Sequence, residues 1–475
     1  MPRSHFVTIA VSGLLAGCAS LPDLGPTPVV AAPGTFDSRV ALAGEQGIWP
    51  AEGWWHRFGD AQLDALIAEG LAGSPDVAIA AARVRAAEAM AQQAGAALLP
   101  RIGAEAAAGG VQQSANMGIP PQFVPDGIQD SGHVAATFGF DLDLWGRNRA
   151  ALAAATSEAE AARIDAAEAR LMLTTGIAAA YVDLAGYYRA LDVANEAVRV
   201  RGASAALARD RVRAGLDNQA SAHQAESRAA AARADVAALD EAVMATRHRI
   251  AALVGAGPDR GRAIGRPQIV RADLSLPDDA GIDLVGRRPD IAAARLRSEA
   301  AAKRIDVARA DFYPNISLSA LVGLQSLGLS NLFSAGSEYG NGGAAISLPV
   351  FSGGRLQGRY RGARAEYDAS VATYNRTLIG ALRDVADVVQ SRAATIRQLA
   401  ARRDALAAAE AASTLAGLRY RAGLANQIEQ LTAEDGMIAL SRAVAELEAR
   451  ELSLDIALIR ALGGGYSASR PTGDE

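Results

Sequence analysis

The side chains able to do chemistry in this sequence are few and poorly grouped. Five histidines, His5, His56, His133, His223 and His248, are scattered with no spacing that would set two imidazoles on one metal. The single cysteine, Cys18, excludes an internal disulfide and any cysteine-rich metal centre. Gly255-Ala-Gly257 invites a dinucleotide-loop reading, but it follows a helical stretch rather than a strand, so it reads as a hinge. No nucleophile–base set and no cofactor motif occurs, and the pattern argues against an enzyme.

Cys18 carries a different chemistry. Residues 1–18 read MPRSHFVTIAVSGLLAGC, with a basic start at Arg3, an apolar run from Phe6 to Leu15, and then Leu15-Ala16-Gly17-Cys18. A short apolar core after a positive start is a secretory signal rather than a membrane span. The small residues before the cysteine resemble the bacterial lipoprotein signal. That resemblance implies cleavage before Cys18 and attachment of diacylglycerol and an acyl chain to it, with no other cofactor expected. Several acyl chains exceed what stable anchoring requires. Ala19 is not the aspartate associated with inner-membrane retention, which favours the outer membrane. An ordinary secretory signal with an incidental cysteine is the alternative.

The remaining composition mostly excludes. The chain has 475 residues, half of them hydrophobic, and a net charge of −5, so no basic face for nucleic acid is expected. Mean hydropathy is +0.09, and no run of about 20 apolar residues follows the N-terminus, which argues against a transmembrane helix.

The informative signal is self-similarity. Arg211-Val-Arg-Ala-Gly215-Leu-Asp-Asn-Gln219 returns 208 residues later as Arg419-Tyr-Arg-Ala-Gly423-Leu-Ala-Asn-Gln427. Pro75-Asp76 returns as Pro289-Asp290, Pro100 as Pro314, and Leu144-Trp145-Gly146 is echoed by Val350-Phe351-Ser352. Four landmarks in one order mark a duplication whose copies are complete architectural halves.

Each half holds a long proline-free stretch, 146–257 and 351–470, rich in strong helix formers. Each is interrupted once, where Gly215 or Gly423 suits a left-handed helix stop. Asp217 or Asn218, and Asn426, then suit the next N-cap. Each stretch therefore predicts a helical hairpin, with a first arm from Arg147 to Arg213 of roughly 100 Å at 1.5 Å per residue. In the second copy Leu356, Tyr367, Leu378 and Val389 recur every eleven residues, a period that disfavours left-handed supercoiling. Val236, Leu239, Val243, Ile250 and Leu253 follow heptad spacing. Alanine at the flanking positions allows close helix approach on both sides.

Between the helices the period becomes two. Val134, Ala136, Phe138, Phe140, Leu142 and Leu144 alternate with Thr137, Gly139, Asp141 and Asp143. Ile316, Leu318, Ala320, Val322 and Leu324 alternate with Ser317, Ser319 and Gly323. In a barrel the apolar face meets lipid and the polar face lines a lumen; in a soluble sandwich the apolar face is core. Four strands cannot close, since about eight is the membrane minimum. An open sheet edge in lipid costs several kcal/mol per unpaired group, so this reading requires oligomerisation.

These residues together resemble the TolC-like outer-membrane efflux factors, and within them the NodT-type lipoprotein branch. The features that carry the resemblance are the lipobox, the duplicated plan and the proline at each helix-to-strand junction. Asp141-Leu-Asp-Leu-Trp145-Gly-Arg147 after the second strand and the paired Arg-x-Arg-Ala-Gly-Leu turns complete it, and it runs from Trp54 to Gly465. It implies a mainly α fold with a membrane β-barrel: a duplicated helix–β-hairpin–helix plan with four strands and long coiled helices per protomer. Three protomers would form one barrel and an α-helical periplasmic tunnel.

The expected division has six parts. They are a signal peptide (1–17), an N-terminal anchor and equatorial segment (18–73), and a first repeat (74–255) with strands about 101–110 and 133–145. A linker and equatorial segment (256–285), a second repeat (286–465) with strands about 315–325 and 340–350, and a tail (466–475) follow.

The implied function is the outer-membrane channel of a tripartite efflux system, a passive exit duct for small molecules. Its implied partners are a periplasmic adaptor, an inner-membrane transporter, expected to be proton-driven, and outer-membrane lipid. An exit duct for type I protein secretion, or a non-channel periplasmic coiled-coil scaffold lipoprotein, are the alternatives.

By the same resemblance Arg211, Arg213, Gly215, Arg419, Arg421 and Gly423 occupy the adaptor-contacting tips. Tyr420, Glu429, Thr432 and Ser221 occupy the periplasmic gate. Tyr420 matches a tyrosine that bonds the neighbouring hairpin, with Ser221 in place of the usual acid. Glu429 matches one acidic gate residue, Thr432 replaces another, and Ala425 stands where a basic residue is usual. The expectation is a weaker or differently wired closed state, in which three Glu429 side chains repel around the axis and favour cations.

Overall fold

Proline at the first helical position, glycine after the last and asparagine as N-cap set the element boundaries of this chain twice over. A computed structural model describes residues 21–37, 42, 47–114, 116, 118–270, 276–277 and 280–467. Cys18, where acylation is expected, lies outside the described residues. After the short helical turn Trp54–Phe58 come α1 (Ala61–Gly73), α2 (Pro75–Ala96), β1 (Arg101–Val111), β2 (Gln129–Asp141), α3 (Arg147–Arg213) and α4 (Gln219–Leu253). The second half continues with α5 (Asp259–Arg262), α6 (Ala280–Arg287), α7 (Pro289–Ala310), β3 (Asn315–Leu327), β4 (Glu338–Ser347), α8 (Arg355–Arg421) and α9 (Gln427–Ala461).

The duplication is visible in the lengths. α2 and α7 have 22 residues each, α3 and α8 have 67 each, and α4 and α9 have 35 each. The halves differ instead in their strand hairpins, whose loops span residues 112–128 and 328–337. No single described helix is long and apolar enough to cross a membrane.

Two strands depart at their boundaries from the alternating pattern. β2 begins at Gln129, earlier than expected, and stops at Asp141 although the alternation runs on to Leu144. Asp143 takes φ 45°, and its carboxylate accepts from Asn148 N at 2.8 Å and Arg149 N at 3.0 Å. It caps α3, and these charge-assisted bonds offset the left-handed strain. β4 likewise ends at Ser347, short of the expected 350, as the chain turns through Pro349 towards Gly353 and Gly354, both at positive φ.

The chain packs as two compact units. One falls within residues 1–30, 84–162 and 294–374 and contains the sheet with the adjoining helix segments. Its strands lie in the order β1-β2-β3-β4, all antiparallel. Register decides its character. Ile102 pairs with Phe138, Phe138 with Ala320, and Ala136 with Val322, so the apolar alternations of both hairpins fall on one face. Thr137 pairs with Leu321, which pairs with Asn341, and Gly139 pairs with Ser319, so the opposite face is small and largely polar. Val134, Phe138 and Val322 are exposed on the apolar face, at 40%, 38% and 68%. β1 and β4 each leave one edge without a partner strand among the described residues.

The other unit falls within residues 31–83, 163–293 and 375–475. Leu63, Leu66 and Ile67 of α1, Ile177, Tyr181 and Leu184 of α3, and Ile250 of α4 are fully buried in it. Trp54 and Phe58 are buried too, with their rings edge-on at 6.2 Å between centroids. Asp60 caps α1, accepting from Gln62 N at 2.9 Å, and also receives the Tyr181 hydroxyl at 2.8 Å. Gly255 is the α4 stop: its φ is 81°, and a Cβ there would strike the carbonyl of Gly73. Ala205 and Ala208 of α3 pack with Ala225 and Ala229 of α4, the close approach that alanine permits.

Candidate functional site: the paired helix turns

Both turns are built by the same local rule. Gly215 takes φ 70° and Gly423 takes φ 75°. Leu216 N donates to Arg211 O at 2.9 Å, and Leu424 N to Arg419 O at 2.8 Å. Gly215 N reaches Val212 O at 3.0 Å, and Gly423 N reaches Tyr420 O at 3.1 Å. These pairs of bonds satisfy the last helical carbonyls as a Schellman motif does. Asn218 then accepts from Ser221 N at 3.0 Å and Asn426 from Glu429 N at 2.9 Å, capping α4 and α9.

The side chains make the two turns unlike. Tyr420 is 1% exposed, and its hydroxyl donates to Asp217 Oδ2 at 3.1 Å. The Arg211 guanidinium lies 4.6 Å from the Tyr420 ring centroid and 3.9 Å from the Asp217 carboxylate. Ser221 Oγ donates to Asp217 Oδ1 at 2.8 Å. Ser221, at the position where the resemblance expects an acid, orients the carboxylate of Asp217, four residues earlier, and that carboxylate accepts the Tyr420 bond. Partial burial works to raise the Asp217 carboxyl, but hydrogen bonds from Ser221, the Asn218 N–H and Tyr420, with Arg211 beside it, hold it below the usual range. Burial, and then the bond to Asp217, push the Tyr420 phenol up to about 12.

The other residues singled out are less converged. Glu429 is paired with Arg419 at 2.7 Å, both about half exposed, so its charge is matched within its own hairpin rather than standing bare. Thr432 Oγ donates to Ile428 O at 2.7 Å and lies on the exposed side of α9. Arg213 pairs with Asp210, and Arg421 Nε donates to Gly417 O at 3.2 Å.

Further along the same helices lie ties that sequence inspection missed. Asp435 of α9 pairs with Arg201 of α3 at 2.9 Å and with Arg228 of α4 at 3.4 Å. Arg442 pairs with Asp235. Ser204 donates to Glu434. The only signal for these in the sequence is charge at helix-face spacing, which does not name a partner. Among the described residues no group of three or more His, Cys, Asp or Glu is placed to hold a metal ion.

Long paired helices flanking antiparallel strands with one apolar and one polar face define the class of outer-membrane channel proteins. Similarity says the same in particular. The outer membrane efflux protein family matches residues 66–256 and 283–464, and the chain belongs to that family. It is 38% identical over 375 residues to the fusaric acid resistance protein FusA of Burkholderia cepacia, covering 75% of this chain and 68% of that protein. It is 31% identical to the multidrug resistance outer membrane protein MdtP of Escherichia coli K12, covering 91% and 89%. Its structure matches the outer membrane protein VceC of Vibrio cholerae with a TM-score of 0.84, at 41% identity over 88% of this chain and all of that one. The protein is an outer-membrane component of an efflux system.

Proposed function

We propose that three copies of the chain close their sheets into one barrel that serves as a passive exit duct for small molecules. The observation that carries this is the two-faced sheet whose β1 and β4 each keep one edge without a partner strand among the described residues. Edge strands cannot stand open in hydrocarbon, so copies must pair β4 to β1. Two copies give eight strands, whose interior is about filled by side chains; three are the fewest that leave a bore. An inner-membrane transporter, proton-driven, delivers the cargo through a periplasmic adaptor that meets the two turns. Acyl chains on Cys18 anchor the protein in outer-membrane lipid. The duct performs no chemistry of its own. The names of its relatives, resistance to fusaric acid and to multiple drugs, favour small molecules over exported proteins as cargo.

The test is mass measurement of the detergent-purified protein together with planar-bilayer recording. A trimer with stepwise conductance is expected. A stable monomer without conductance would overturn the proposal and favour a scaffold.

A further inference from the structure

We propose that the groove between the start of α3 and the end of α7 binds the headgroup of an anionic glycerophospholipid of the membrane, with Arg309, Arg149 and Lys303 holding its phosphodiester. The groove measures about 530 Å³. Trp145 and Tyr313 line it at the sheet end, and Arg149, Lys303, Asp306 and Arg309 line it along its length. All six residues belong to the unit that contains the sheet. Trp145 and Tyr313 stack with ring centroids 4.8 Å apart, and the Trp145 indole donates to Pro314 O at 2.7 Å. The half-exposed indole is thereby fixed in place. Ala150 and Ala153 of α3 line the remainder and are too small to fill it.

Position favours a lipid over a free ion. The apolar face of the sheet runs to Ile102 and Ile346, both exposed at the ends that adjoin the helices, and the aromatic pair begins where that face stops. Tryptophan and tyrosine, apolar in body and polar at the tip, suit a membrane–water boundary. α7 ends at Ala310, and the chain from there back to Lys303 rises roughly 10 Å. A headgroup layer is roughly 5–8 Å deep. Arg309 and Arg149 therefore lie within that layer, with Lys303 at its periplasmic margin. Charge then selects the lipid. Arg149 Nε lies 3.3 Å from Asp143, and Lys303 lies 3.8 Å from Asp306. Among the described residues no ion pair or side-chain hydrogen bond reaches the exposed Arg309. Three cations against two carboxylates leave one net positive charge, which a phosphodiester balances. A guanidinium can meet its two free oxygens in parallel. The site needs only a sheet seated in the membrane and does not depend on how many copies close the barrel.

Native mass spectrometry of the full-length protein in detergent, titrated with phosphatidylglycerol or with phosphatidylcholine of equal chain length, tests the headgroup. Preferential phosphatidylglycerol adducts are expected. Arg309→Gln should weaken them about fivefold, and Arg402→Gln, at an exposed position far along α8, should leave them unchanged. Equal binding of the two lipids, an unaltered Arg309→Gln variant or an equal loss in Arg402→Gln would each overturn the proposal. Displacement of the lipid by inorganic phosphate would overturn it as well, since the site would then read the anion alone. Phosphatidylglycerol brominated in its acyl chains tests the placement. It should quench part of the tryptophan emission, and Trp145→Phe should remove that part, because Trp49, Trp54 and Trp55 lie in the other unit. Quenching that persists unchanged in Trp145→Phe would put the groove away from lipid and sink the idea.

Discussion

The Tyr420 hydroxyl lies 3.1 Å from Asp217, a residue 203 positions earlier in the chain, and this bond joins the two helix turns. In the internal repeat Tyr420 stands where the first copy has Val212, and Asp217 where the second has Ala425. The duplicated frame is thus tied by one asymmetric pair, each half contributing what the other lacks. Arg211 completes it by stacking on the ring and facing the carboxylate.

Tyr420→Phe keeps the ring and removes the hydroxyl. A hydrogen bond to a charged group contributes about 1.5–3 kcal/mol, so amide exchange at both turns should speed up roughly tenfold or more. Exchange mass spectrometry over residues 204–221 and 416–430 measures it. Unchanged protection there would show that the bond does not hold the turns together.

The same pair sets an acid limit. The Asp217 carboxyl is depressed in the folded protein, so its contribution is present above its unfolded value, about 3.9, and is lost as pH falls through the lower folded value. The Tm gap between the wild type and Asp217→Asn should stay constant from pH 7 to 5 and close below about 4. Tyr420 behaves oppositely, its phenol being raised to about 12. Its contribution is complete below about 10 and is lost as pH climbs through the folded value. A gap that widens on acidification would contradict this wiring.

Gly423 has open space around its missing Cβ, so only its φ of 75° resists substitution. Gly423→Ala should cost about 1–2 kcal/mol, with Gly423→Asn costing less. Gly417, inside α8 and also unhindered, should gain up to ~1 kcal/mol on change to alanine. Denaturant titration of the three variants checks the order. Equal costs for alanine and asparagine at 423 would mean that backbone conformation is not the constraint.

The faces of the sheet can be separated by charge. Val322→Arg places a cation on the lipid side and should destabilise membrane assembly by about 2–4 kcal/mol if near the midplane. Ser319→Arg, on the polar face, should assemble normally and lower single-channel conductance. Heat-modifiability on gels and bilayer recording distinguish the two. Normal assembly of Val322→Arg would place the apolar face elsewhere than in lipid.

Much of the frame was legible because it rests on neighbours in sequence. Periodicity marked the helices, Gly215 and Gly423 marked their stops, and the matched 67-residue arms follow from a copied pattern. The end of β2 was misplaced because alternation continues through Leu142 and Leu144. Only the helix start reveals that Asp143 is needed as a cap.

The site was half legible. Tyr420 stands out in the sequence, but the resemblance puts Ser221, not an acid, at the position facing it. The carboxylate that reaches it comes from one helical turn earlier, outside the helix. Glu429 looked like a bare charge until folding brought Arg419 back across the turn.

The sequence by itself determined the elements and their repetition, since backbone propensity and hydrophobic period act over a few residues. Only the tertiary structure decided strand register across the two hairpins, the partner of Tyr420 and the burial of Glu434 against Ser204. Those depend on distances between segments some two hundred residues apart, which no local pattern encodes.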